Sequence, residues 1–154
     1  MEFPDLPFDD DDAPETFVSF HVEDVEFDLP NQKPMVEWLL GIAEAEGKAV
    51  YELAYIFCSD EYLRAVNVEH LQHDYYTDII TFPYTANAVH GDIFISTERV
   101  AENAAALRIP FWQELCRVMA HGVLHLAGYG DKTPDEARLM RAKEDFYLKT
   151  CPPA

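Results

Sequence analysis

The sequence predicts an α+β fold: one domain with a small, mixed four-stranded sheet and about five helices. Three observations predict it. Short β-rich stretches alternate with apolar-periodic stretches that carry helix start and stop residues. At 154 residues and 49% hydrophobic, the chain is long enough for one core and too apolar for overall disorder. No internal repeat or linker divides residues 16–150, which follow an acidic, flexible arm at 1–15.

The elements follow in chain order. The arm combines Pro4 and Pro7 with the run Asp9–Asp12, where like charges favour an extended chain. Thr16–Val22 alternates and is β-rich, a strand. Pro34, in a first turn, opens a helix through Trp38, Leu39 and Ile42 that stops near Gly47. Val50–Cys58 reads as a second strand with Leu53, Tyr55 and Phe57 on one face. Ser59 caps a short helix through Leu63 and Val66. Ile79–Phe82 is a strand closed by Pro83; a loop runs to Gly91, and Ile93–Ile95 gives the fourth strand. Ser96 or Thr97 caps an alanine-rich helix. Pro110 opens a long helix from Phe111 to about Ala127, and Gly128 is its stop. Thr133-Pro134-Asp135-Glu136 is a capping box opening a last helix toward Leu148.

The net charge of −18 is unevenly spread. Residues 1–95 hold 21 acidic and 3 basic side chains, a balance of −18, whereas residues 96–154 hold 8 of each. A polyanion would therefore meet the second part; solubility is the plain account of most of the acidic side chains. No apolar run nears the ~18 residues of a membrane helix, so no membrane partner is expected. The first residues show neither the basic nor the apolar region of a secretory leader. Cys58, Cys116 and Cys151 are odd in number and lack C-x-x-C spacing. That argues against a disulfide framework, a disulfide-linked partner and a thiolate metal site, and for a reducing cytoplasm.

The informative stretch is His121-Gly122-Val123-Leu124-His125-Leu126-Ala127-Gly128-Tyr129-Gly130-Asp131. Residues four apart on a helix share a face, so His121 and His125 can share one metal ion. Gly128 ends the helix, and Asp131 arrives three residues later as a third ligand. Two neutral imidazoles and a carboxylate suit one Zn2+ with a position left for water; Fe2+, Ni2+ or Mn2+ also fit the set. The helix is apolar nearly all round, so these histidines need partners. The site thus falls on a long buried helix and the following turn. A zinc protease of the H-E-x-x-H type needs glutamate where Gly122 stands, which weighs against a metzincin-like metallohydrolase.

His-Gly-x-Leu-His-Leu-x-Gly-Tyr resembles the signature of the YbeY family, metal-dependent endoribonucleases also described as rRNA maturation factors. Two further blocks are similar: Asn67 with Asp74–Pro83, and Gly91-Asp92-Ile93. The likeness covers roughly residues 50–145. It implies an α+β fold, a zinc ion, cytoplasmic residence and a single-strand-specific endoribonuclease. The implied partners are ribosomal RNA, near the 3′ end of the small-subunit RNA, and the small ribosomal subunit, in maturation and quality control. Two positions depart from the family: Asp131 replaces a third histidine, and Leu71 stands where an arginine usually lies.

Other residues carry two readings each. Asp78 is a candidate catalytic base or partner of the ligands, or a turn residue at a strand start; Asp92 reads the same way. Lys132 is a candidate for phosphate contact, or a solvated loop lysine; Arg138 and Arg141, with Lys143, are candidates for RNA backbone contact, or exposed helix charges paired with Glu144 or Asp145. His70, His73 and His90 can add ligands or lie in surface loops; His21 reads as a strand residue. Tyr75 and Tyr76 can stack on unpaired bases or pack at a rim. The competing function is a metal-stabilised ribosome-assembly factor that does not cut RNA.

Overall fold

The computed structural model describes residues 17–154, so the arm at 1–15 lies outside the described residues. The order is β1 (Val18–Val22), α1 (Gln32–Ala45), β2 (Val50–Cys58), α2 (Asp60–Leu71), β3 (Ile79–Pro83), β4 (Val89–Ser96), α3 (Thr97–Leu107), α4 (Phe111–Leu126) and α5 (Pro134–Leu148). The sheet order is β1-β2-β4-β3. β1, β2 and β4 run parallel, and β3 runs antiparallel to β4 at the edge.

The period-2 pattern sorts side chains to two faces. Leu53, Tyr55 and Phe57 of β2 and Ile93 and Ile95 of β4 join the main core with Met35, Leu39 and Ile42 of α1 and with α4. On the other face, Cys58 and Ile80 pack with Leu63 of α2, flanked by Phe82 and Phe94. Helices thus cover both faces. α4 is buried on most sides, and Tyr55 Oη donates to its Met119 carbonyl at 2.7 Å. A polar hydroxyl buried this deeply needs such a partner.

Local rules account for the termini. Ser59 Oγ accepts from Tyr62 N at 3.1 Å, and Ser96, not Thr97, caps α3 by accepting from Arg99 N at 3.0 Å. The Thr133–Glu136 capping box is formed in full. Two expectations are corrected. β4 begins at Val89, because Val89 N donates to Ala49 O and His90 O accepts from Tyr84 N, so no loop persists to Gly91. α2 continues past Val66 to Leu71, since Asn67 is buried there; His70 is therefore helical, edge-on against Phe82. The chain also stays packed beyond residue 150: Trp112 Nε1 donates to Pro152 O at 2.7 Å and Asn31 Nδ2 to Pro153 O at 2.6 Å. Among the described residues, no helix is long and apolar enough to cross a membrane.

Candidate active site

α4 brings one polar stripe into an apolar helix. Glu114, Arg117, His121 and His125 recur at helical spacing and line one cavity of about 670 Å3. Another wall comes from Asn67 and Leu71 of α2 and from His73, Tyr75, Thr77 and Asp78 of the loop after it. Asp131, Lys132, Met140, Arg141 and Glu144 close the third side.

The His121 and His125 rings lie parallel, with centroids 6.4 Å apart and 4° between planes. An ionised carboxylate only accepts, so His121 Nδ1–H donates to Glu144 Oε2 at 2.8 Å. His121 Nε2 then faces Asp131 Oδ2 at 3.3 Å. Glu144, 5% exposed, also accepts from Arg117 Nη1 at 3.0 Å, and Arg117 Nη2 reaches Asp145 at 3.0 Å. Burial opposes a charged His121 ring, but the Glu144 hydrogen bond and the charges of Glu144, Asp131 and Asp78 outweigh it and raise its pKa. Burial pushes the carboxyls of Asp78 and Glu114 up. Glu114 Oε1 and His125 Nδ1 are buried without a hydrogen-bond partner.

These donors suit a divalent transition metal. A carboxylate on Nδ1 fixes the tautomer that leaves Nε2 free to ligate. A buried ring nitrogen without a partner costs about 1–3 kcal/mol, and a metal would satisfy His125 Nδ1 only by ligating at that nitrogen. Among the described residues, no three His, Cys, Asp or Glu side chains stand ready as a closed donor group. His121 and Asp131 instead pair with each other, and a cation between them would replace that pair.

Gly122 sits against the sheet. A Cβ there would come 2.7 Å from Ile93 Cδ1, so a glutamate at this position would point into the core and not the cavity. That removes the metzincin-like reading. Gly122→Ala is expected to cost about 1–3 kcal/mol by overpacking, read as a lower urea midpoint at unchanged m value.

A model of the YbeY family, described as Endoribonuclease YbeY, matches residues 17–152. The chain belongs to the YbeY family. Relatives named Endoribonuclease YbeY include one from Flavobacterium johnsoniae, 50% identical over 83% of this chain and 92% of its own length. One from Amoebophilus asiaticus is 45% identical over 88% of this chain and 93% of its own length. The solution structure of a Thermotoga maritima protein is similar, with TM-score 0.63 and 28% identity over 86% of this chain and 87% of that one.

On this YbeY fold the predicted residues separate. His121, His125, Asp131, Asp78, Lys132 and Arg141 share the cavity, and so do His73 and Tyr75. Leu71, at the position of the family arginine, is in its wall. Arg138 is not: it points outward and pairs with Asp135. Asp92 accepts from Tyr84, and His90 stacks edge-on against Tyr84, both outside the cavity. His21 is exposed on β1, 2.9 Å from Ser19 Oγ. The pairing expected of Glu144 and Asp145 with α5 cations is corrected, because Arg117 of α4 takes both. Glu114, Arg117 and Glu144 are the site residues the sequence reading did not single out.

The turn bearing Asp131 is anchored from behind. Glu46, at the end of α1, accepts from Tyr129 Oη at 2.6 Å, from Lys143 Nζ at 3.1 Å and from Tyr147 Oη. Burial pushes the Glu46 carboxyl up, but these three donors prevail and hold it below its usual value. A depressed carboxyl contributes stability that is full above its unfolded pKa and lost as pH falls through the folded one. The stability gap between wild type and Glu46→Gln, measured by urea unfolding, is therefore expected to be widest near neutrality. It should shrink as the pH falls below the usual glutamate range.

Proposed function

We propose that this chain is a zinc-dependent endoribonuclease specific for single-stranded RNA. It would act in the cytoplasm on ribosomal RNA near the 3′ end of the small-subunit RNA, in maturation and quality control, with the small subunit as partner. The observation that carries this reading is the buried Glu144–His121 pair, 2.8 Å long, which turns His121 Nε2 toward Asp131 within the cavity. His121, His125 and Asp131 would hold the ion. When bound, it supplies Lewis acidity toward a phosphoryl oxygen or a nucleophile at neutral pH.

The remaining work falls to the chain. Lys132 and Arg141 line the cavity, and among the described residues neither pairs with a carboxylate, so both can meet phosphate charge. Asp78 and Glu114, kept closer to their protonated forms by burial, can exchange a proton with the attacking or leaving oxygen. Arg117 holds Glu144 in place.

The test incubates purified protein with a loop-containing RNA, with chelator and with zinc restored. Products that vanish with chelator and return with zinc are expected; products that persist in chelator overturn metal dependence. Leu71 in the cavity wall and the net charge of −18 favour a second reading, a metal-stabilised assembly factor. Small-subunit binding without any products would select it. RNA affinity is expected to fall with salt along a shallow slope, about 0.7 per engaged phosphate of a single strand. Lys132→Glu and Arg141→Glu should each weaken binding in an anisotropy titration, whereas Arg138→Glu should leave it unchanged.

A further inference from the structure

We propose that Tyr75, backed by His73, is a stacking subsite for one unpaired nucleobase of the RNA at the rim of the cavity. The inference rests on the nuclease reading and deepens it. The two rings are stacked, with centroids 5.2 Å apart and 20° between planes, and Tyr75 Oη meets His73 Nδ1 at 3.0 Å. Both residues line the cavity that holds His121 and His125, and Tyr75 is 54% exposed.

The platform is fixed from below. Asn67, 1% exposed, donates its Nδ2 to the Tyr75 carbonyl at 3.1 Å, and its own carbonyl accepts from His73 N at 3.1 Å. A buried amide spent on a loop backbone holds the ring outward, so little ordering entropy is lost on binding. The adjacent Tyr76 is built differently. Arg99 and Arg64 lie over its ring at 5.2 and 5.7 Å, and its hydroxyl bonds Glu61, so it is already engaged within the protein.

Charge explains why the subsite is needed. Of the cavity's cations, Arg117 is taken by Glu144 and Asp145, which leaves Lys132 and Arg141 in a chain of net charge −18. Two cations release few counterions, so binding must draw on a term that does not depend on charge. Stacking on an aromatic ring is such a term, and it is open only to bases outside a duplex.

The experiment uses the full chain and single-stranded RNA oligomers carrying 2-aminopurine at each position in turn, with chelator present so that nothing is cut. Wild type should quench the probe at one position, Tyr75→Phe should preserve the quench, and Tyr75→Ala and Tyr75→Leu should lose it. Affinity should fall about tenfold in Tyr75→Ala. An abasic site at the quenched position should cost wild type the same factor and Tyr75→Ala nothing further. The exposed Tyr84, outside the cavity, supplies the control, and Tyr84→Ala should match wild type. If wild type binds RNA but Tyr75→Ala and Tyr75→Leu bind and quench as it does, the subsite is wrong and the nuclease reading stands. If wild type neither binds nor, with zinc present, cuts RNA, the nuclease reading falls and takes the subsite with it.

Discussion

Asp131→Ala is expected to emerge from purification largely without metal, while Asp131→His keeps a full equivalent. Asp131 Oδ2 lies beside His121 Nε2, at 3.3 Å. Removing a ligand should weaken metal binding by at least the ~100-fold that loss of an outer partner can cost. An ion present at about 100 times its Kd stabilises the folded state by about 2.7 kcal/mol. For a domain of this size that is a drop of about 5–10 °C in thermal midpoint when metal is in excess. Histidine is a good ligand for the same ions, so Asp131→His should retain both metal and midpoint. It also removes one negative charge beside the ion, which should move the pH–rate profile to lower pH. Metal analysis and thermal melts of the two variants decide the matter together. Full metal content in Asp131→Ala, with only the ~1 kcal/mol loss of a capping residue, would show that Asp131 serves the turn and not the ion.

Most of the scaffold for this site could be read from single residues, and the exceptions have a common cause. Pro110 and Gly128 bracket α4, and Thr133 and Glu136 begin α5, because these residues act on the backbone within one turn of themselves. β4 and α2 proved longer than their local signals. The first residues of β4 gain partners from Tyr84 and Ala49, and α2 continues over buried Asn67 to a left-handed Gln72. The Val89–Ala49 contact joins segments distant in sequence, which no local pattern reports. The candidate ligands stood out because histidines are rare on an apolar helix. Glu114, Arg117 and Glu144 did not, because a helical charge is ordinarily solvated. The sequence did carry a signal for them. Glu114 and Arg117 extend the His121–His125 stripe backward by helical steps, and Glu144 falls between the buried Met140 and Tyr147 in the inward stripe of α5. A carboxylate in an apolar stripe asks for a partner, and here the partners are His121 and Arg117.

Glu144 is for that reason the position with the largest expected effect outside the candidate ligands. Its two oxygens hold His121 Nδ1 at 2.8 Å and Arg117 Nη1 at 3.0 Å, and all three side chains are largely withdrawn from water. Glu144→Ala leaves the Arg117 charge with Asp145, which is 57% exposed, at 3.0 Å and Glu114 at 3.9 Å, and leaves Nδ1 of His121 without its acceptor. Breaking a buried ion pair from one side costs about 3–5 kcal/mol. In a domain of this size the thermal midpoint should fall by about 6–20 °C. Loss of the carboxylate that orients a ligating imidazole should weaken metal binding by about 10–100-fold. Glu144→Gln separates the two contributions. Its amide keeps an acceptor at only one of the two oxygen positions, turns an NH2 donor to the other and carries no charge, so both losses should be intermediate. Metal titration of the refolded variants, compared at a temperature where all remain folded, isolates the effect on the ion from the effect on the fold. If Glu144→Ala binds metal as wild type does once folded, Glu144 serves only to neutralise Arg117, and His121 is oriented by α4 alone.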